Sequence, residues 1–128
     1  MVILDTNIII DHLRQKDKST SWLRKLTEKV GAEKLGISMA TIQELYVGKS
    51  VFDPQNEQMM LQTISSFEVE SYSYEIAKMA GELVRNLNGQ LQFADAAIAA
   101  TAIVNGASLF TLNTKDFLEI KNLEIYKI

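Results

Sequence analysis

The chain has 128 residues, 47% of them hydrophobic and 23% charged, with 13 Lys and Arg against 16 Asp and Glu, for a net charge of −3. This size and balance predict one domain over residues 1–128. The lack of cysteine and the single histidine, His12, argue against disulfides, thiolate chemistry, histidine metal cages and a Ser-His-Asp triad.

The apolar runs are short and interrupted, so none reaches the length of about 20 residues that a membrane span needs. No basic segment precedes the first apolar run, which contains Asp5, and this differs from a signal peptide. We therefore expect a cytoplasmic protein that does not contact a membrane. Because cysteine is absent and histidine occurs only once, any catalysis must depend on carboxylates.

The first half of the chain alternates predicted strands and helices. Short apolar runs bounded by turn residues predict strands, and apolar residues at helical spacing predict helices. In chain order these are a strand Val2–Leu4, a helix that begins at residues 8–10, a helix Trp22–Val30, a strand Leu35–Ser38, a helix Met39–Val47 and a helix marked by Met60, Leu61, Ile64 and Phe67.

The second half continues this alternation. The pattern predicts an amphipathic helix over residues 76–87, an alanine-rich helix Phe93–Val104, and strands at residues 108–111 and 123–126. Strands separated by helices favour an α/β fold with a mainly parallel sheet, here a three-layer α/β/α sandwich.

Two acidic residues are isolated in apolar surroundings. Asp95 is the only ionisable side chain between Asn86 and Thr114, near the start of a helix that we expect to be buried. Asp5 is the only charged side chain between Met1 and Ile10, and it follows the first predicted strand. An isolated buried carboxylate is costly unless hydrogen bonds, protonation or a cation relieve it. Two such carboxylates, Asp5 and Asp95, suggest that the pair shares a cation.

Glu44 and Asp116 complete the group. The helix Met39–Val47 carries apolar residues on two faces, and Glu44 lies on the second face with Ala40 and Val47. Asp116 stands in the turn that follows the predicted strand at 108–111. All four acids can converge on the carboxyl edge of a parallel sheet. Such carboxylates repel one another, and oxygen ligands favour Mg²⁺ or Mn²⁺.

Each acid also has a structural interpretation. Asp5 can cap the helix that follows it, Thr41 and Glu44 fit a capping box, Asp95 can be an ordinary acid at a helix start, and Asp116 can be a surface turn residue. The joint occurrence of all four favours a site.

Four segments, in this order, resemble the PIN-domain family, and within it the VapC toxins of prokaryotic toxin-antitoxin pairs. They are residues 2–7 (VILDTN), 37–45 (ISMATIQEL) with Gly48, 95–102 (DAAIAATA) and 111–117 (TLNTKDF). The resemblance implies an acidic quartet of Asp5, Glu44, Asp95 and Asp116, oriented by Thr6, Asn7 and Asn113. Leu112 departs from the family pattern, in which many members carry arginine at this position.

The resemblance further implies a Mg²⁺- or Mn²⁺-dependent endoribonuclease that hydrolyses RNA with a metal-activated water. A small antitoxin and a second copy of the chain are the partners it implies, and a PIN-domain RNA-processing nuclease that is not a toxin is the alternative. A haloacid-dehalogenase-like phosphatase would need an acid where Asn7 stands. A receiver-like phosphoacceptor domain would need adjacent acids after the first strand, and they are absent.

Overall fold

A computed structural model of the chain describes residues 1–128. It contains four strands and six α-helices, joined by short turns, several of them 3₁₀-helical. In chain order the elements are β1 (Val2–Leu4), α1 (Thr6–Arg14), α2 (Trp22–Val30), β2 (Leu35–Ser38), α3 (Met39–Val47), α4 (Pro54–Ile64), β3 (Glu68–Glu70), α5 (Tyr74–Asn86), α6 (Phe93–Val104) and β4 (Ser108–Phe110).

The sheet has the strand order β3-β2-β1-β4, and every pair in it is parallel. In the central pairs, Leu4 lies opposite Ile37 of β2 and Phe110 of β4. The three strands therefore end at the same level, and the residues that follow them meet at one edge. The chain passes from β1 to β2 on one side of it, and β4 later pairs with β1 on the other side. The strand order therefore reverses at β1, and open α/β sheets bind ligands at such switch points.

Helices cover both faces of the sheet, so the predicted three-layer arrangement is confirmed. Alternate residues of β1 point to opposite faces, as strand geometry requires. Ile3 packs with the alanines of α6 and with Ile76 of α5, whereas Leu4 packs with apolar residues of α1, α2 and α4. α3 contacts both α1 and α6, which places it at the carboxyl edge between the two layers.

The helix ends follow local chemistry. Ser38, which ends β2, is fully buried and caps α3, since its hydroxyl accepts a hydrogen bond from the backbone N of Ala40 at 3.1 Å. α2 ends at Gly31, whose φ of +88° suits glycine. These caps explain why the predicted bounds of α2 and α3 agree with the structure.

Apart from shifts of one or two residues at ends of α1, α5 and β4, three details differ from the prediction. β3 was not predicted, because it is an edge strand with two glutamates and no buried face. Residues 123–126 form no strand, since only the bridge between Leu109 and Ile125 joins them to the sheet. Phe67 lies beyond the end of α4, although it still packs against the core. No helix is both long and apolar enough to cross a membrane.

Candidate active site at the carboxyl edge of the sheet

The four predicted acids lie on four elements that reach the carboxyl edge of the sheet. Asp5 follows β1 and is the N-cap of α1. Glu44 lies on α3, which begins directly after β2. Asp116 lies in the turn after β4, and Asp95 is in the first turn of α6. The charges of Asp5, Asp116 and Glu44 each raise the pKa of Asp95, so the four acids share one electrostatic environment.

Asp5 is the buried member of the quartet, with 5% of its surface exposed. Its Oδ1 accepts a hydrogen bond from the backbone N of Thr6 at 2.7 Å, and its Oδ2 accepts one from Thr111 Oγ1 at 2.7 Å. Burial raises the pKa of Asp5, the two hydrogen bonds oppose this effect, and the charges of Glu44 and Asp116 add to it. The structural interpretation of Asp5 as a helix cap is therefore correct, and it is compatible with a place in the site.

Glu44 is oriented by a pair of threonines. Thr6 Oγ1 donates to Glu44 Oε1 at 2.6 Å and lies 3.0 Å from Thr41 Oγ1, and both threonines are buried. The capping-box interpretation of Thr41 and Glu44 is wrong, because α3 begins two residues earlier and Ser38 caps it. Thr6 instead links Glu44 to the residue next to Asp5.

A second hydrogen-bond network holds the turn after β4. Thr111 Oγ1 accepts hydrogen bonds from the backbone N of Asn113 at 3.0 Å and from Asn7 Nδ2 at 3.4 Å. Asn7 Oδ1 in turn accepts from the backbone N of Leu112 at 3.3 Å. Asn113 Nδ2 donates to Asp116 Oδ2. This network connects Asp116, through Asn113 and Thr111, to Asp5.

Asp95 differs from the other three acids because no hydrogen-bond donor holds its carboxylate in place, and no cation pairs with it. The expectation that it is buried is wrong: the side chain is half-buried, because α6 begins at the open edge of the sheet. Partial burial, followed by the charges of Asp5, Asp116 and Glu44, raises the pKa of Asp95 to about 6. Its carboxylate is therefore available to a ligand.

No basic side chain neutralises the quartet. The only ion pair in the structure joins Arg24 and Glu28 on α2, away from the site. At the same time, no three acidic or histidine side chains are close enough together to hold a common metal ion. The four carboxylates thus carry negative charge that no protein cation neutralises. They do not form a complete metal-binding site in this arrangement.

The predicted orienting residues all make contacts in the site. Thr6 contacts Glu44, Asn113 contacts Asp116, and Asn7 contacts the turn after β4. Sequence reasoning gave Thr111 no role and considered Thr41 only for a capping box, whereas both threonines are central to the hydrogen bonding of the site. The sequence could have indicated Thr111, because it is the polar residue that ends the predicted strand at 108–111.

Comparison with known proteins places the chain in a family. The PIN domain family model matches residues 2–123. Ribonuclease VapC1 of Rickettsia felis is 31% identical over 99% of this chain and 96% of its own length. A chain of the toxin-antitoxin complex from Klebsiella pneumoniae is 30% identical, with a TM-score of 0.74 and 100% of both chains covered.

The fold comparison gives the same answer. VapBC2 from Rickettsia felis, solved bound to a DNA fragment from their promoter, contains a chain that is 28% identical to this one. The two superpose with a TM-score of 0.81 over 98% of each chain. The chain therefore belongs to the PIN domain family and, within that family, to the group of the VapC ribonucleases.

Proposed function

We propose that this protein is the toxin of a VapBC-type toxin-antitoxin pair, a divalent-metal-dependent endoribonuclease that hydrolyses RNA phosphodiester bonds. The observation that carries the proposal is that four chain segments each place one carboxylate at the same sheet edge, with no basic side chain paired to any of them. Residues 1–128 form one nuclease domain. Because its substrate is cellular RNA, its place of action is the cytoplasm.

The donor chemistry of the quartet suits Mg²⁺ or Mn²⁺, and since no three of its acids approach closely enough here to share one ion, binding requires them to move together. All four side chains offer carboxylate oxygens, which these hard cations prefer, and no thiolate or imidazole is present in the site. Asp95, the acid without hydrogen bonds, is free to bind an ion. Repulsion among the carboxylates opposes their closer approach until a cation offsets it. Asp5, Glu44, Asp95 and Asp116 are the residues that would hold the metal.

The chain's own residues prepare the site for hydrolysis. The hydrogen bonds to Asp5 fix both of its oxygens, and the contact with Thr6 leaves Oε2 of Glu44 free to orient a water. Asn113 fixes one oxygen of Asp116. When bound, the divalent ion supplies positive charge for the phosphate and increases the acidity of the attacking water. No protein nucleophile is needed.

The partners in this proposal are RNA, a small cognate antitoxin and a second copy of the chain. The Klebsiella pneumoniae relative was solved as a toxin-antitoxin complex, which supports an antitoxin partner. Exposed apolar residues on α4, Met59 and Leu61, offer surface to a protein partner.

Controlled expression in a bacterial host tests the proposal. Wild type is expected to arrest growth, and Asp5→Asn at equal protein level is expected to permit it. Glu119→Gln is the matched control, because it removes an exposed carboxylate outside the quartet. The purified proteins are then incubated with RNA in Mg²⁺ or in EDTA. Equal growth of wild type and Asp5→Asn, with no RNA cleavage by either, contradicts the proposed function.

A further inference from the structure

A cleft of about 280 Å³ opens between α3 and α6, directly beside the acidic quartet. Glu44 lines its wall, together with Met39 and Gln43 from α3. Phe93 from α6 and Tyr72 from the segment before α5 form the opposite side. Because Glu44 belongs to both the cleft and the quartet, an occupant of the cleft lies next to the reacting phosphate.

The Phe93 side chain lies outside the hydrophobic core. It is the first residue of α6, 80% of its surface is exposed, and it belongs to neither buried core cluster. Leaving a phenyl ring in water forgoes the stabilisation that its burial would bring. On α6 its ring lies on the face of Ala94 and Ala97, which line the cleft with it, and Glu44 of the quartet lies in the same lining. The ring is therefore available to a ligand.

The chemistry of the cleft selects a neutral planar group. No lysine or arginine lines it, so it offers no positive charge to a phosphate. Its apolar walls are accompanied by the amide of Gln43, which is exposed and can both donate and accept hydrogen bonds. Single-stranded RNA is recognised by splayed bases that stack on aromatic side chains and are read at their edges by polar groups.

We propose that this cleft, here called the base cleft, receives one unstacked nucleobase next to the scissile phosphate. The base stacks on Phe93, and the Gln43 amide reads its edge. This inference rests on the proposed RNA substrate and deepens it, since it locates where sequence preference is set. Phosphates bind outside the base cleft, toward the quartet.

The test compares Phe93→Ala, Phe93→Tyr and Phe52→Ala as purified full-length proteins, using a single-stranded RNA with Mg²⁺. Phe52 is the matched control, because it is 82% exposed and does not line the base cleft. Loss of one aromatic stack is expected to raise KM about tenfold. Phe52→Ala is expected to keep the wild-type KM, whereas Phe93→Tyr, which retains an aromatic face, is expected to raise KM less than Phe93→Ala does. Gln43→Leu is expected to change which base flanks the cut when a randomised RNA is sequenced after cleavage.

Several results would overturn the base cleft. Phe93→Ala with the same KM as Phe52→Ala and an unchanged cut-site preference in Gln43→Leu would exclude it. If the wild type is a dimer in sedimentation and Phe93→Ala is a monomer, the loss of RNA affinity follows from the loss of the dimer. The cleft is then an interface between two copies of the chain and not a site for a base. A wild-type protein that neither binds nor cuts RNA contradicts the proposed function itself, and the base cleft with it.

Discussion

Thr111 Oγ1 donates a hydrogen bond of 2.7 Å to Asp5 Oδ2, across 106 residues of sequence and between two neighbouring strands. The same hydroxyl accepts from Asn7 and from the backbone of Asn113. Thr111 therefore fixes the most buried acid of the quartet and the turn that carries Asp116. A residue with this arrangement orients the site without needing to touch the substrate.

Thr111→Val should lower both stability and activity. The substitution keeps the shape of the side chain but leaves one oxygen of a buried carboxylate without its donor, and hydrogen bonds to charged groups contribute about 1.5–3 kcal/mol. Activity should fall about 10- to 100-fold, the range seen when partners of metal ligands are removed. Denaturant unfolding and RNA cleavage measure the two effects. Thr111→Ser is the control and should retain both; equal losses in the two variants would show that the hydroxyl is not responsible.

Asp95→Asn should have the opposite effect on stability. No hydrogen bond is lost, because the carboxylate has none, and a charge repelled by Asp5, Asp116 and Glu44 is removed. In EDTA the variant should be as stable as wild type or about 0.5–2 kcal/mol more stable, yet it should not cleave RNA. Denaturant unfolding in EDTA, paired with a cleavage assay in Mg²⁺, tests both parts. A destabilised but fully active variant would remove Asp95 from the site.

In the metal-free protein, the contribution of Asp95 to stability should fall as the pH rises from about 4 to 6. The pKa of Asp95 is about 6 in the folded state and near 3.8 when unperturbed, so the folded state binds more protons in this window. A raised carboxylate pKa means that stability is greater at the acidic end and falls as the group ionises. The raised pKa of Asp5 acts in the same direction.

Unfolding free energies in EDTA at several values between pH 4 and pH 7 measure this dependence. Other carboxylates also titrate in this range, so the informative quantity is the difference between wild type and Asp95→Asn. That difference should grow with pH in favour of the variant. A difference that does not change with pH would show that Asp95 titrates normally.

Divalent metal should stabilise the fold. An ion that binds only the native state raises its stability by about 2.7 kcal/mol at a concentration of 100 times Kd. Thermal melting in EDTA and in millimolar Mg²⁺ or Mn²⁺ should therefore show a higher midpoint with metal. Asp95→Asn should respond less, whereas Glu119→Gln should respond like wild type. An unchanged midpoint in wild type at every metal concentration would argue against a metal site in the quartet.

The sequence by itself predicted the fold class, which the structure confirms, and it indicated the four acids of the quartet, whose role as a site stays a prediction. Asp5 and Asp95 stand out because each is the only charge in a long apolar stretch, and that contrast requires no tertiary information. Glu44 and Asp116 follow from the order of strands and helices, because parallel strands bring their carboxyl ends to one edge. The resemblance of four ordered segments to PIN domains agrees with the family match.

The tertiary structure decided which residues hold the acids and how exposed each acid is. Thr111 and Thr41 gain their importance from contacts with Asp5 and Thr6, which lie 106 and 35 residues away. Asp95 is half-buried because its helix begins at an open edge, although its neighbours in sequence are apolar. β3 forms because β2 offers a free edge to it, and not because of its own pattern. Each of these features depends on distances between segments that are far apart in sequence, which local periodicity does not encode.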